Sequence, residues 1–151
     1  MAQKSVETQF GPLTVTEAEG AIVALDWLWA AQQDSTPLLN HAVAQLSAYA
    51  TGASTQFDLP LRVAGTRMQQ RVCEAMLGID FGDTVTYGEI ARALGISAQS
   101  VGQACGHNPI PIIIPCHRVM GVKGLTGFSG VGGVETKVAL LRHEGAAGLL
   151  I

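Results

Sequence analysis

Charged residues are scarce in this chain: Asp, Glu, Lys and Arg make up 14 % of 151 residues, against 48 % hydrophobic ones. That balance excludes intrinsic disorder, which requires a chain too polar to bury a core. Long apolar runs are also missing. Nowhere do about 18 such residues follow one another, so no membrane-spanning helix is expected. The 18 glycines and 6 prolines keep no triplet period, which excludes a collagen-like chain. Met1 to Phe10 lacks the basic start and apolar middle of a secretory signal, so the expectation is a soluble, cytoplasmic protein. Cysteine is rare and odd in number: Cys73, Cys105 and Cys116 cannot all pair within one chain, and reduced thiols are the default. There is no C-x-x-C and no His pair at helical spacing, so no metal site is expected.

The length suits one domain, or a small N-terminal lobe fused to a larger one. Charge divides the chain unevenly. Residues 1–60 hold Lys4 against six acidic residues, a net of −5, whereas residues 61–151 hold eight basic residues against six acidic ones, a net of +2. Any polyanion contact therefore belongs to the C-terminal part.

Leu13 to Thr16 and Ala21 to Trp27 are β-prone runs around Glu19-Gly20, which reads as a hairpin. Thr36-Pro37 then opens a helix with Leu38, Leu39, Ala42, Val43, Leu46 and Tyr49 at helical spacing, ended by Gly52. Asp58 to Val63 reads as a linker. Thr66 is placed to cap a helix through Leu77, with Met68, Val72, Ala75 and Met76 facing inward. Thr86-Tyr87-Gly88-Glu89 fits a capping box and predicts a short helix from Tyr87 to Leu94. Gly95 ends it, and Ser97 caps another helix to about Gly106. Two short helices around a Gly-containing turn match a helix-turn-helix or an ordinary helical hairpin. Pro109 stops the second helix. The run Ile110 to Pro115 is apolar and broken by prolines, so it reads as a buried, rigid, extended segment. It delivers Cys116-His117-Arg118-Val119 to a fixed place. A Gly-rich loop follows, then a last helix from about Val134 to His143 with Val138 and Leu141 inward.

Cys116 beside His117 is the chemically active pair. A thiol is nucleophilic as thiolate, so it needs a base or a positive neighbour. Adjacent side chains usually point apart, and a buried Cys next to a surface His is the better explanation of an isolated pair.

The surrounding string is more specific. Asn108 through Val119, read as NPIPIIIPCHRV, closely resembles the active-site signature of the O6-alkylguanine-DNA alkyltransferases. Gln69 to Val72, Gly82 to Ala91, Val101 to Ala104, Leu125 to Gly130 and Lys137 to Gly145 agree with it, so the likeness spans about residues 60–145. Gly11 to Val15 resembles the start of that family's N-terminal lobe. The resemblance implies an α+β protein with two parts. Residues 1–60 would form a small lobe of short strands and one helix, ribonuclease H-like in the family. Residues 61–151 would form a mainly helical DNA-binding and alkyltransferase domain, with a helix-turn-helix beside an active-site cysteine loop.

The activity implied is a single-turnover transfer, without cofactor or metal, by a monomer acting on double-stranded DNA that contains O6-alkylguanine, and also O4-alkylthymine. The family flips the damaged base out and moves its alkyl group irreversibly to a cysteine of its own. By matching position, Cys116 would be the acceptor, His117 the base acting through a water, and Glu144 the residue orienting His117. Asn108 would brace the active-site turn, and Tyr87 would donate to the guanine as it leaves. The carbonyls of Cys116 and Val119 would accept from the guanine amino group. Ser129, with Gly130 beside it, would sit on the O6 side of the pocket. The small residues Ala98, Ser100 and Gly102 would let the second helix approach DNA closely. Arg118 would meet a phosphate or hold the local fold.

Three departures from the family pattern stand out. Gln99 occupies the place of an Arg that fills the gap left by the flipped base. The stretch Ser129 to Val134 is about two residues longer than usual. Cys73 replaces an aromatic. No Lys or Arg occurs between Ala93 and Asn108, so DNA contacts would rely on backbone amides, helix N-termini and arginines elsewhere. The main rival is a non-catalytic binder of alkylated DNA that flags lesions for another pathway; such relatives replace the cysteine, which this chain retains. An alkylation-sensing regulator and a Cys-His hydrolase are further alternatives. The first lacks an added domain here, and the second lacks a specified oxyanion hole.

Overall fold

Glu19 and Gly20 both take left-handed backbone, φ 50° and 78°, the conformation a two-residue hairpin turn demands of its central pair. In the computed structural model, which describes residues 1–121 and 133–146, this turn joins β2 (Gly11–Ala18) to β3 (Ala21–Asp26). A third strand, β1 (Ala2–Thr8), pairs antiparallel with the other edge of β2, giving the order β1-β2-β3. The sequence predicts no strand here, because the alternation of these first residues buries a hydroxyl instead of hydrocarbon. Ser5 is buried and its Oγ meets Thr14 Oγ1 at 2.7 Å while accepting from the Ala30 amide and Gln33 Nε2. A fully satisfied polar group can sit in a core at little cost.

Helix α1 (Pro37–Thr51) starts as expected: Thr36 accepts from the Leu39 amide at 3.0 Å, Pro37 fills the first turn, and Gly52 ends the helix at φ 82°. Its face of Leu39, Ala42, Leu46 and Tyr49 packs on the sheet against Leu13, Val15, Ile22 and Leu25. Burying each large side chain contributes about 1.5–3 kcal/mol. The segment expected to be a linker is instead attached to β3. The Ile22 amide donates to Pro60 O at 2.8 Å and the Arg62 amide to Ile22 O at 3.0 Å, a parallel bridge between Ile22 and Leu61. The first compact unit therefore runs to Ala64 and not to residue 60, and the second begins at Gly65.

The first three helices of the second unit each begin on a hydroxyl. Thr66 caps α2 (Arg67–Leu77), Thr86 caps α3 (Tyr87–Leu94) with the reciprocal Glu89 bond of a capping box, and Ser97 caps α4 (Ala98–Gly106). Gly95 at φ 70° makes the turn between α3 and α4, and the three helices pack on one another. On α2 the inward residues are Val72, Cys73 and Met76; Met68, expected inside, is 41 % exposed. The first turn of α2 reaches α4 through a polar contact instead, Gln69 Nε2 donating to Ala104 O at 2.8 Å.

Residues 110–115 are buried as expected but are not extended. The prolines remove donors, and the amides that remain close local turns: Ile113 to Pro111 O, Ile114 to Ile110 O and Cys116 to Ile114 O, all within 2.8–2.9 Å. Ile112 sits at φ 71°, where a β-branched residue is strained by roughly 1–2 kcal/mol. Burial of Ile110, Ile112, Ile113 and Ile114 holds it there. Cys116–Arg118 then forms a 3₁₀ turn leading into β5 (Val119–Met120), which pairs parallel with β4 (Val85–Thr86). That two-residue ladder has no signal in the sequence, and it sets Tyr87, the first residue of α3, close in the chain to a strand paired with Val119. The last helix, α5 (Val134–His143), buries Lys137, Leu140 and Leu141, with Val138 only half-buried. No helix among the described residues is long and apolar enough to cross a membrane.

The capping box of α3 supports the α3–β4 corner from both sides. Thr86→Ala is expected to cost about 1 kcal/mol, lowering the melting temperature by about 2–4 °C in a chain of this size. Thermal unfolding followed by circular dichroism checks this, and an unchanged midpoint would show that the cap is dispensable.

Candidate active site

Three segments of the second unit are joined through one carboxylate and its arginine. Glu144 follows α5 and is buried at 5 % exposure. Its Oε2 meets His117 Nε2 at 2.7 Å, and the Arg118 fork closes on both oxygens, Nε to Oε1 at 2.8 Å and Nη2 to Oε2 at 3.0 Å. The remaining arm of Arg118 donates to Ile79 O at 2.6 Å, just beyond α2. A carboxylate can only accept, so His117 Nε2 carries the hydrogen and Nδ1 presents its lone pair. That Nδ1 is buried with no hydrogen-bond partner among the described residues. Burial pulls the His117 pKa below its ordinary value, opposed by the Glu144 bond and helped by Arg118 and Lys137, so the ring is a neutral base.

Cys116 opens the 3₁₀ turn and is buried at 4 % exposure. The turn before it is clipped by Asn108, whose Nδ2 donates to Ile114 O at 2.8 Å while its Oδ1 accepts from the Ile110 amide at 3.0 Å. Asn108 is buried immediately after α4 and spans the turn that carries the cysteine. The two other thiols are chemically quieter. Burial pushes Cys73 up to about 11 and Cys105 up to about 12. Both are buried, and Cys105 Sγ lies 3.6 Å from Met76 Sδ in the core. Among the described residues no group of three or more His, Cys, Asp or Glu is arranged to hold a metal.

Of the residues the resemblance singled out, His117 meets Glu144 directly, Asn108 spans the turn that leads to Cys116, and Tyr87 is half-buried. Val119 is buried, and its carbonyl already accepts from Lys137 Nζ at 2.6 Å. Gln99 and Ala98 are exposed on the first turn of α4, Ser100 and Gly102 half-exposed, and nothing lies within 4 Å of where a Gly102 side chain would begin. Of the two roles expected of Arg118, its geometry fits the second and not the phosphate contact: each of its three nitrogens bonds Glu144 or Ile79, so it holds the local fold. Ser129 and Gly130 lie outside the described residues. Lys137 was missed altogether. Its side chain is wholly buried and its ammonium lies 5.8 Å from the centre of the Tyr87 ring. A lysine on an otherwise apolar helix face, three and four residues before Leu140 and Leu141, was the available signal.

The fold and this cluster define an α+β protein in two units, the second carrying a paired-helix element and a buried cysteine with a carboxylate-oriented histidine. Comparison with known proteins gives the class its family. Residues 1–63 match the ribonuclease-like domain of 6-O-methylguanine DNA methyltransferase, and residues 67–146 match the DNA binding domain of the same family. A methylated-DNA–protein-cysteine methyltransferase of Mycobacterium bovis is 43 % identical over 93 % of this chain and 90 % of its own length. The constitutive enzyme of that name from Bacillus subtilis is 38 % identical over 93 % of both. Among solved structures, Mycobacterium tuberculosis OGT in complex with DNA aligns with a TM-score of 0.86 at 41 % identity, covering 96 % of this chain and 93 % of that one. The chain belongs to the methylated-DNA–protein-cysteine methyltransferase family.

Two outcomes follow from the Glu144 cluster. Glu144→Gln leaves Arg118 charged, buried and uncompensated, so it is expected to destabilise the protein by about 3–5 kcal/mol, read as a lower urea midpoint. The second outcome concerns pH. The folded state keeps His117 neutral, whereas the unfolded chain takes up a proton near its ordinary pKa of about 6.5. The contribution is therefore complete above that value and is lost as pH falls below it, toward the lower folded pKa. Melting temperature should drop as pH falls from about 7 to about 6, with a smaller drop in His117→Gln; equal drops in both would place the dependence elsewhere.

Proposed function

We propose that this protein repairs DNA by direct reversal, moving the alkyl group of O6-alkylguanine in duplex DNA onto Cys116 in one turnover. The Cys116 thiolate attacks the alkyl carbon, a C–S bond forms, the C–O6 bond breaks, and the electron pair leaves with the guanine. The observation that carries this reading is the His117 ring: Nε2 is fixed to Glu144, and Nδ1 is a buried, unpartnered base next in the chain to Cys116. His117 takes the thiol proton through a water, Glu144 fixes its tautomer, and Asn108 holds the turn so that sulfur has one approach direction. Tyr87 donates to the leaving guanine. The carbonyls of Cys116 and Val119 accept from its amino group; that of Val119 has a lone pair left beyond its bond to Lys137. O4-alkylthymine is a second substrate of the same chemistry.

The base reaches this buried thiol only if it leaves the duplex, which costs a few kcal/mol and less for a damaged, mispaired base. The exposed first turn of α4 serves that step. Gln99 hydrogen-bonds the orphaned partner base, while Ala98, Ser100 and Gly102 let the helix backbone come close to the DNA. Ser129 and Gly130 complete the O6 side of the pocket. The Mycobacterium tuberculosis relative, described in complex with DNA, supports DNA as the partner. All the proposed machinery belongs to one unit of one chain, so the protein acts as a monomer. The three cysteines are free thiols, which suits a reducing compartment, the cytoplasm.

Incubation with duplex DNA containing O6-methylguanine, followed by intact mass measurement and peptide mapping, should give one added methyl per protein on Cys116. Cys116→Ser should abolish it and still bind the duplex. Lesion binding without any adduct in the wild-type protein would make this a non-catalytic lesion binder.

A further inference from the structure

The buried charges of the second unit do not cancel within the Glu144 cluster. Glu144 is matched by Arg118, and His117 is neutral, which leaves Lys137. Its side chain is wholly buried, yet it forms no ion pair with any carboxylate among the described residues. An ammonium removed from water without an opposite charge is costly enough that such lysines ordinarily lose their proton or find a partner. What surrounds Lys137 is the reactive corner itself. Nζ donates to Val119 O at 2.6 Å, and the Val119 amide in turn donates to Cys116 O. The ammonium also lies over the Tyr87 ring at 5.8 Å, a favourable placement for a cation.

The titratable groups facing it are Cys116 from the 3₁₀ turn, Cys105 from α4, Tyr87 from α3 and His117. Burial lowers the Lys137 pKa, and negative charge on Cys116 is the first influence acting against that, with Cys105 next. Cys105 stays a neutral thiol at ordinary pH because burial holds its pKa up to about 12. Lys137 also disfavours His117 as a cation, so before proton transfer the positive charge beside Cys116 lies on Lys137.

We propose that Lys137 is the positioning residue of the transfer reaction: its buried ammonium is the counter-charge of the Cys116 thiolate and, through Val119 O, ties that thiolate to the pocket wall. The proposal rests on the transferase reading and deepens it. His117 removes the proton, and Lys137 makes the resulting anion stable enough to persist in a dry pocket. No bond to Lys137 forms or breaks. When Cys116 becomes a neutral thioether, the ammonium loses its partner.

The test is the pH dependence of Cys116 reactivity toward iodoacetamide, resolved by peptide mapping, in the wild type, Lys137→Met and Lys137→Gln. Gln keeps a donor for Val119 O without the charge. Both variants should shift the midpoint of thiolate formation upward by about one pH unit, a tenfold lower rate below the midpoint, and converge with wild type above it. A uniform loss of rate with an unmoved midpoint would overturn the proposal and leave Lys137 a structural clamp. Should neither variant fold, the wild type decides: a nearby cation should favour anionic iodoacetate over neutral iodoacetamide at Cys116 several-fold more than at an unstructured cysteine peptide. An equal or smaller preference overturns it. Methyl transfer from O6-methylguanine duplex to wild-type Cys116 separates the two ideas. Transfer with an unmoved midpoint sinks only the counter-charge, and a moved midpoint without transfer sinks only the transferase reading.

Discussion

One buried carboxylate organises the catalytic half of this protein. Glu144 sits at the C-terminal end of a helix, where the macrodipole disfavours negative charge, and burial adds a further cost. Bonds from His117 and from two nitrogens of Arg118 offset both. The result joins the end of α5, the 3₁₀ turn and, through Ile79 O, the end of α2. Apolar residues of the same volume would hold these segments together as well or better, since a buried ion pair seldom gains much net free energy. Direction is what the carboxylate supplies. It fixes which imidazole nitrogen carries the hydrogen, and therefore which nitrogen faces the rest of the pocket as a base.

The same logic governs the chain on the other side of Cys116. The 110–115 turn would relax if Ile112 left its left-handed conformation, but relaxing would uncover isoleucines that are almost wholly buried. Local strain of one or two kcal/mol is small beside the burial of several such side chains, so packing wins. Asn108 closes the turn with one donor and one acceptor from a single side-chain amide. Sulfur is thus presented on a segment that has no low-energy alternative, the condition for a thiol to meet one carbon along one line.

Much of this was readable before the structure, and the reasons differ by element. The helix starts at Thr36, Thr66, Thr86 and Ser97 were legible because a capping hydroxyl acts within three residues of itself. The Glu19-Gly20 turn was legible for the same reason. Strand β1 was not, since its core contact is a serine satisfied by Thr14, Ala30 and Gln33 from distant parts of the chain. The attachment of Leu61 to Ile22 and the β4–β5 ladder depend on pairing across long separations and carry no local mark. At the site, Cys116 and His117 were legible as residue types, but only family resemblance linked them to Glu144, because neighbours on a chain can face opposite ways. The inward turn of Arg118 follows from the same carboxylate. Lys137 escaped because a lysine is read as a surface residue until something shows what it is buried against.

Helix α4 carries no charged side chain along Ala98–Gly106, and on the proposed reading this shapes how the protein finds its target. Non-specific hold on a duplex comes mostly from cations that displace condensed counterions. A helix that displaces none contributes little to lingering on undamaged DNA. The protein then samples the genome by many brief touches in place of long slides, and each touch tests only whether a base is loose enough to come out. Because each molecule reacts once, the time saved on intact sites is of direct value. Repair capacity then follows the number of unspent molecules more closely than the affinity of any one of them.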